Sequence, residues 1–287
     1  MLMRPPFPHS DYSRWQAQLA LGFANDAGTT RLVRREHTGP LRVQKPLYPE
    51  SPAVCHAIVV HPPGGVVGGD ALTITAQVRE GASAFITTPG AAKWYKANGQ
   101  LSRQSVTLDV EANASLEWLP QETIFFDATE VELEQTVTLA LGASYIGSEI
   151  LCFGRTASGE RFDSGRIVQK NSIRQNGKLV WFEQGVLAAE DSMMSSPLGM
   201  AGKTVCGTLI AVGRVLPNEV IKELRNIGDS LVSKPEGFGA TQMKSVLVVR
   251  YLGDSSEKAR QVMTAIWQHL RPAMLGREAV VPRIWNT

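Results

Sequence analysis

The sequence predicts a mainly β protein, a β-helix-like or layered stack of sheets with two helices near the C-terminus. Three observations predict it: apolar and polar residues alternate over many short segments, a small-residue motif recurs at intervals near 30 residues, and helical periodicity occurs only late in the chain. The chain has 287 residues, 43% of them apolar, enough for a sizeable core. No low-complexity linker divides it, so we expect one domain over residues 1–287, with residues 1–14 as a loose leader.

Period-two alternation is the strongest signal. Across Leu72–Arg79 every second residue is apolar, which places the apolar side chains on one face of a strand. Further β-rich runs lie near residues 54–60, 84–88, 106–110, 115–119, 131–139, 145–153, 167–174, 179–186, 205–215 and 245–251. Asn176-Gly177 separates two of these runs and predicts a tight hairpin, because Asn-Gly tolerates positive φ at both central turn positions.

A short motif suggests an internal repeat. Gly81-Ala82-Ser83, Asn113-Ala114-Ser115 and Gly142-Ala143-Ser144 each follow one strand-like run and precede another, at intervals of 32 and 29 residues. Strand–turn–strand units with such a period are typical of a coiled stack of β layers.

Helical patterns appear only after residue 215. One apolar stripe runs through residues 220, 224, 227 and 231, as on an amphipathic helix. Asp254-Ser255-Ser256-Glu257 resembles a capping box with Asp254 as the cap. We expect it to open a second helix that ends before Pro272.

Composition argues against several functional classes. The 29 basic and 27 acidic side chains leave a net charge of +2, which gives no reason to expect nucleic-acid or membrane binding. No signal-peptide pattern is visible, and no apolar run approaches the roughly 18 residues of a membrane helix. The three cysteines form no CxxC pair, so we expect reduced thiols and a cytoplasmic location.

Two glycine-containing segments resemble nucleotide-binding loops, but neither has the complete P-loop pattern. In the stretch 61–70, HPPGGVVGGD, no Gly-Lys-Ser/Thr follows and the next element alternates as a strand. Gly202-Lys203-Thr204 has Pro197 where a P-loop needs glycine. We therefore expect no nucleotide site. His56 and His61 are five residues apart, which places them on opposite faces of a strand and argues against a shared metal ion.

Glu117, Glu122 and Asp127 leave several interpretations open. They could act as an acid–base pair of glycosidase type, cap turns or pair with arginines, or form a weak, hydrated site for a divalent cation, since no histidine or cysteine lies near to make a tight nickel site. Arg155 and Glu160 could pair across a turn. If exposed, that pair contributes about 1 kcal/mol at most.

Lys93 lies beside two aromatic residues, Trp94 and Tyr95. A desolvated Lys93 would suit catalysis, whereas a surface lysine would pack its stem along the aromatic rings. Because aromatic side chains are enriched in protein interfaces, Lys93, Trp94 and Tyr95 are candidates for partner contact.

Taken together, these segments resemble the UreD (UreH) family of urease accessory proteins. The segments that carry the resemblance are HPPGGVVGGD at 61–70, TTPGAAKWY at 87–95, LEWLPQETIFFD at 116–127, FGRTASGERF at 153–162 and LRPAMLGREAVVPRIWNT at 270–287. They occur in the family's order over nearly the whole chain.

The resemblance implies a β-helical stack and a role as a scaffold rather than an enzyme. Family members bind UreF, which recruits the GTPase UreG, and the assembly docks on apo-urease for GTP-dependent nickel insertion. No tightly bound cofactor is implied, only nickel in transit along an internal route. The candidates for that route are acidic: Asp70, Glu122, Asp127, Glu149 and Glu160. A β-solenoid carbohydrate-active enzyme and a plain protein-binding module without a metal role are the alternatives.

Overall fold

The computed structural model describes residues 15–286, so the leader expected at residues 1–14 lies outside the described residues. Strands dominate these residues, and they are Gln16–Asp26 (β1), Thr29–Thr38 (β2), Arg42–Val43 (β3), Val54–Val60 (β4), Ala71–Val78 (β5), Ser83–Thr87 (β6), Ala92–Trp94 (β7), Ser102–Val110 (β8), Ser115–Leu119 (β9), Thr123–Phe125 (β10), Thr129–Leu139 (β11), Ser144–Phe153 (β12), Gly165–Gln175 (β13), Lys178–Ala188 (β14), Val205–Val212 (β15), Gly237–Met243 (β16) and Val246–Gly253 (β17). The helices are Ser192–Ser195 (α1), Asn218–Leu231 (α2) and Ser256–Leu275 (α3). The mainly β prediction is confirmed.

Two sheets face each other across one core. The first has the order β14-β13-β11-β8-β5-β1-β2, and the second β16-β17-β15-β12-β9-β6-β4-β3. From β1 to β13 the inner strands of the first sheet run parallel, as do β4, β6, β9 and β12 of the second. Beyond β12 the second sheet continues antiparallel through β15, β17 and β16.

The small-residue repeat is the corner of a β coil. Each motif turns the chain from the first sheet into the second, and the first residue of each has positive φ, +67° at Gly81, +54° at Asn113 and +73° at Gly142. The alanines of the three motifs are buried, and the serines stack in register, Ser83 beside Ser115 and Ser115 beside Ser144. The coiled architecture predicted from this repeat is present.

Helices α2 and α3 cover the outer face of the second sheet. Their apolar side chains form a core with outward residues of that sheet, such as Phe85, Ile146 and Leu209. The outer face of the first sheet carries no helix of the described chain and is largely polar along β8 and β11. Strand side chains that point between the sheets form the other, larger core.

Two details of the predicted second helix are wrong. Its cap is Ser255, whose side chain accepts from the Lys258 amide, because the Asp254 carboxylate instead binds Lys203 Nζ at 2.8 Å and the Thr204 amide at 3.1 Å. The helix also continues through Pro272 to Leu275. Proline can be accommodated there because only one helical hydrogen bond is lost, near the C-terminal end.

The hairpin predicted at Asn176-Gly177 joins β13 to β14, and both turn residues have positive φ. Strands β1, β2, β3, β7, β10 and β16 were not predicted. The alternating apolar residues of β1, all buried, are the signal that would have found that strand.

Candidate functional site

The glycine-rich stretch 61–70 is a packing loop. A Cβ at Gly65 would overlap the Tyr95 ring, and one at Gly68 would overlap the Ala97 carbonyl. Buried Asp70 closes the loop, because its carboxylate accepts from the backbone amides of Trp15 and Val67, each at 3.1 Å. The glycines thus allow close backbone approach, and Asp70 holds the loop against β1.

The three acids near residue 120 point to different partners. Glu117 is buried and accepts from Trp267 Nε1 at 2.7 Å and from Arg271. Glu122 is buried beside Arg260, 3.2 Å away. Asp127 accepts from the amides of residues 163 and 164 at 2.9 and 2.7 Å, and these bonds outweigh desolvation and lower its pKa. This arrangement matches the turn-capping and arginine-pairing interpretation.

Arg271 is the centre of a buried ionic cluster beneath the C-terminal helix. Its guanidinium donates to both oxygens of Glu117 and to Glu50 Oε1 at 2.7 Å, and it also donates to the Glu278 carbonyl. His56 binds the same Glu50 oxygen at 2.7 Å and stacks on Phe85. The cluster fastens α3 to the outer face of the second sheet.

The three partner-contact candidates lie at different depths. Lys93 is exposed, and Tyr95 is half-buried with its ring edge-on to Phe126, 4.7 Å between centroids. Trp94 is 1% exposed and packs in the core between the sheets, so its ring is not on the surface of the folded chain. Arg155 and Glu160 pair across their turn at 2.9 and 3.0 Å, and the guanidinium also lies over Phe126.

A group of polar side chains lies between the two sheets, where apolar residues are expected. Contacts across the gap place it there: Gln169 Nε2 of β13 donates to Glu149 Oε2 of β12 at 2.6 Å, and Gln135 Nε2 of β11 donates to the Tyr145 hydroxyl at 3.1 Å. We call this group the interior polar layer, and its members are Gln135, Tyr145, Glu149, Gln169, Asn171, Glu183, Thr208 and Arg250. A small cavity of about 30 Å³ lies among Gln135, Glu149, Asn171 and Thr208, and a polar space of this kind suits a water molecule.

Glu149 is the chemically unusual member of the layer. Burial raises its pKa to about 7, with the nearby Glu183 carboxylate adding to the rise and Gln169 and Arg250 opposing it. A carboxyl group with this pKa exchanges its proton near neutral pH. Near neutral pH, cation binding at Glu149 would therefore be coupled to the release of a proton. An ordinary surface glutamate is already ionised at this pH and has no proton to release.

One edge of the interior polar layer is bounded by an ion pair between the sheets. Arg250 Nη2 of β17 donates to Glu183 Oε1 of β14 at 2.5 Å, and both side chains are partly exposed. In the antiparallel pairing of β13 with β14, Asn171 is directly opposite Glu183. The layer thus runs from the interior at Glu149 toward the solvent at the β14 edge.

No tight metal site accompanies these residues. Within the described residues 15–286, no three His, Cys, Asp or Glu side chains cluster closely enough to hold a metal ion. The interior polar layer offers two carboxylates and several amide and hydroxyl oxygens, which are hard donors.

Of the five acids named for the nickel route, only Glu149 belongs to the layer. Asp70, Glu122, Asp127 and Glu160 bind backbone amides or arginines elsewhere. Glu183 and Arg250 were missed, although alternation along β15 and β17 puts Thr208 and Arg250 on the face toward the core.

Comparison with known proteins decides the family. The family model described as UreD urease accessory protein matches residues 16–286. The chain belongs to the UreD family. A urease accessory protein UreD of Janthinobacterium sp. (strain Marseille) is 64% identical over 95% of this chain and 92% of the relative. Proteins of the same name from Nitrosospira multiformis (53%, 95% and 98% covered) and Dechloromonas aromatica (46%, both chains covered in full) are also similar.

The UreD match spans both sheets and the C-terminal helix, so the interior polar layer and the Arg271 cluster both lie within the matched residues. Family membership supports an accessory role in urease maturation. Over residues 15–286, no helix has both the length and the apolar character needed to cross a bilayer.

Proposed function

We propose that this UreD-family chain is a urease maturation scaffold that docks, with UreF and through it UreG, on apo-urease in the cytoplasm and supports GTP-dependent insertion of nickel. The chain itself performs no catalysis and holds no resident cofactor. Nickel is its cargo, and the GTP is hydrolysed by UreG. The family match over residues 16–286 supports the maturation role.

The interior polar layer is the observation that carries the nickel role. A β sandwich normally fills the space between its sheets with apolar side chains, and buried polar groups cost free energy unless they are hydrogen-bonded. This chain instead places Glu149 between the sheets and the Glu183–Arg250 ion pair at their partly exposed edge. Oxygen donors that bind nickel weakly, with one carboxyl group that titrates near pH 7, suit a cation in transit.

The remaining acids have supporting roles in this proposal. Asp70 fixes the glycine-rich loop, Asp127 and Glu160 order the turn 153–164, and Glu122 ties β10 to α3. Each would serve nickel transit only if its present partner were displaced. We therefore rank Glu149 first among the five candidates.

The two alternatives have less support. A carbohydrate-active enzyme needs a pair of free carboxyl groups facing a groove, whereas Glu117 is buried against Arg271 and Glu122 against Arg260. A plain binding module without a metal role gives no reason for acidic side chains between the sheets.

Activation of urease in a defined mixture tests the proposal. Apo-urease, UreF, UreG, GTP, bicarbonate and nickel are combined with or without this chain, and urease activity is measured. We expect activity to depend on the chain and on GTP. Equal activity without the chain would overturn the maturation role, and equal activity without GTP would overturn the coupling to nucleotide hydrolysis.

A further inference from the structure

A groove lies on the outer face of the second sheet, where β7 and β10 extend it beside β12, outside the interior polar layer. Here the short strands β7 and β10 run beside the end of β12, and the register places Lys93, Ile124 and Cys152 side by side on one face. Tyr95 and Phe126 flank them. The groove has a volume of about 460 Å³, which is enough for several side chains.

The lining of this groove combines an apolar floor with one unpaired cation. Ile124, Tyr95 and Phe126 are each partly exposed, and the part of the Phe126 ring that Arg155 does not cover lines the groove with the other two. Among residues 15–286, no carboxylate lies within ion-pair distance of Lys93. The other cation of the groove, Arg155, is already held by Glu160.

We propose that this groove binds a segment of a protein partner in which apolar side chains are flanked by a carboxylate. The apolar side chains would cover Ile124 and Phe126, and the carboxylate would pair with Lys93. Burial of the aromatic and aliphatic surface supplies the affinity, and the charge pair fixes the orientation of the segment. That the partner belongs to the urease maturation complex rests on the proposed function.

The groove's shape and charge favour a protein segment over other ligands. Its single unpaired lysine is too little positive charge for nucleic acid, whose binding depends on several phosphate contacts. It is also open to solvent, whereas pockets for small molecules enclose most of the ligand surface. A second copy of this chain is an alternative occupant that the experiment distinguishes.

Site-specific cross-linking tests the groove. A benzophenone amino acid replaces Ile124 in the full chain, which is co-produced with the urease subunits and the other maturation proteins. Leu141, which is exposed in a loop, carries the same cross-linker as the control. We expect Ile124 to cross-link to a maturation-protein or urease peptide that has apolar residues within a few positions of Asp or Glu, and Leu141 to give no such product.

Charge variants then test Lys93. We expect Lys93→Glu to lower the cross-link yield about tenfold, the change that corresponds to about 1.4 kcal/mol, whereas Lys93→Arg keeps it. Lys96→Glu, an exposed charge reversal three residues away that does not line the groove, should leave the yield unchanged. Thermal unfolding of each variant shows whether the fold is retained.

Several results would overturn the proposal. These are a product between two copies of this chain alone, a cross-linked peptide without acidic residues, or a yield that is unaffected by Lys93→Glu. If deletion of the chain abolishes urease activation while Lys93→Glu preserves both activation and complex assembly, the groove proposal fails and the proposed function stands. If deletion leaves urease activation unchanged, the proposed function fails and the assignment of the partner fails with it.

Discussion

Arg271 is a buried charge that helps to attach α3 to the second sheet. It is fully buried and binds two buried carboxylates, Glu117 and Glu50. The positive charge of Arg271 offsets their desolvation, and the carboxylates in turn keep the pKa of Arg271 above its usual value against the effect of burial.

Removal of this one charge should be costly. We expect Arg271→Ala to lower the free energy of unfolding by about 3–5 kcal/mol, because it leaves uncompensated buried carboxylates. Arg103→Ala is the matched control, since it breaks an exposed pair with Glu132 and should cost about 1 kcal/mol or less. Urea denaturation measures both, and equal effects would contradict the buried-cluster account.

Glu149 should make stability depend on pH. Its pKa is raised from 4.5 to about 7 by burial, so its stabilising contribution is fully present below pH 4.5 and is lost as pH rises toward 7. The loss amounts to at most about 3 kcal/mol for this shift. Glu149→Gln should therefore be more stable than the unsubstituted chain at pH 8, by an amount that shrinks toward pH 5.

Urea denaturation of both proteins across this pH range tests that expectation. Glu134→Gln, on the solvent face of β11, is the control and should show no such trend. A constant difference between Glu149→Gln and the unsubstituted chain at all pH values would show that Glu149 does not titrate in this window.

Glu149 was one of five acids named from the sequence, but the residues around it were not predicted. Its donor Gln169, and the Glu183–Arg250 pair beyond it, come from strands that meet only when the two sheets face each other. The residues of these two contacts are 20 and 67 positions apart in the sequence, so no local sequence pattern indicates either contact. Alternation can assign a side chain to a strand face, but it cannot show which polar groups meet across a core.

Strand β14 is an exposed edge with an apolar outer face. Leu179, Phe182 and Val186 are 50%, 51% and 41% exposed, and edge strands of this kind promote association between chains. We therefore expect the isolated chain to be hard to keep soluble, and Phe182→Lys to raise the concentration at which aggregates appear.

Light scattering over a concentration series measures this effect. Leu141→Lys replaces an apolar residue that is even more exposed but lies in a loop, so it should change little. Equal solubility of the unsubstituted chain and Phe182→Lys would show that the β14 edge is not the surface through which chains associate.

Strands and helices could be predicted where their apolar periodicity extends over many consecutive residues. The strands with clear alternation, the corner repeat and the late helices are all present. The three-residue strands β7 and β10 were missed because they are held mainly by pairing with each other and with β12, and β2 was missed because its exposed, arginine-rich residues read as loop.

Across the whole molecule, β12 is the strand where two architectures meet. On one side it pairs parallel with the coil strand β9, and on the other it pairs antiparallel with β15. Glu149 lies on this strand, so the interior polar layer begins at the junction and extends toward the antiparallel end. The parallel coil strands hold β12 in place, and the antiparallel strands β15 and β17 contribute Thr208 and Arg250 to the layer proposed for nickel.

The most direct test of the nickel role compares Glu149→Gln with Glu134→Gln in the defined activation mixture. Both remove one glutamate charge, the first between the sheets and the second on the outer face. We expect both variants to assemble with UreF and urease, and only Glu149→Gln to lower the nickel content per urease active site and the urease activity. Full nickel loading and activity with Glu149→Gln would contradict a nickel role for the interior polar layer.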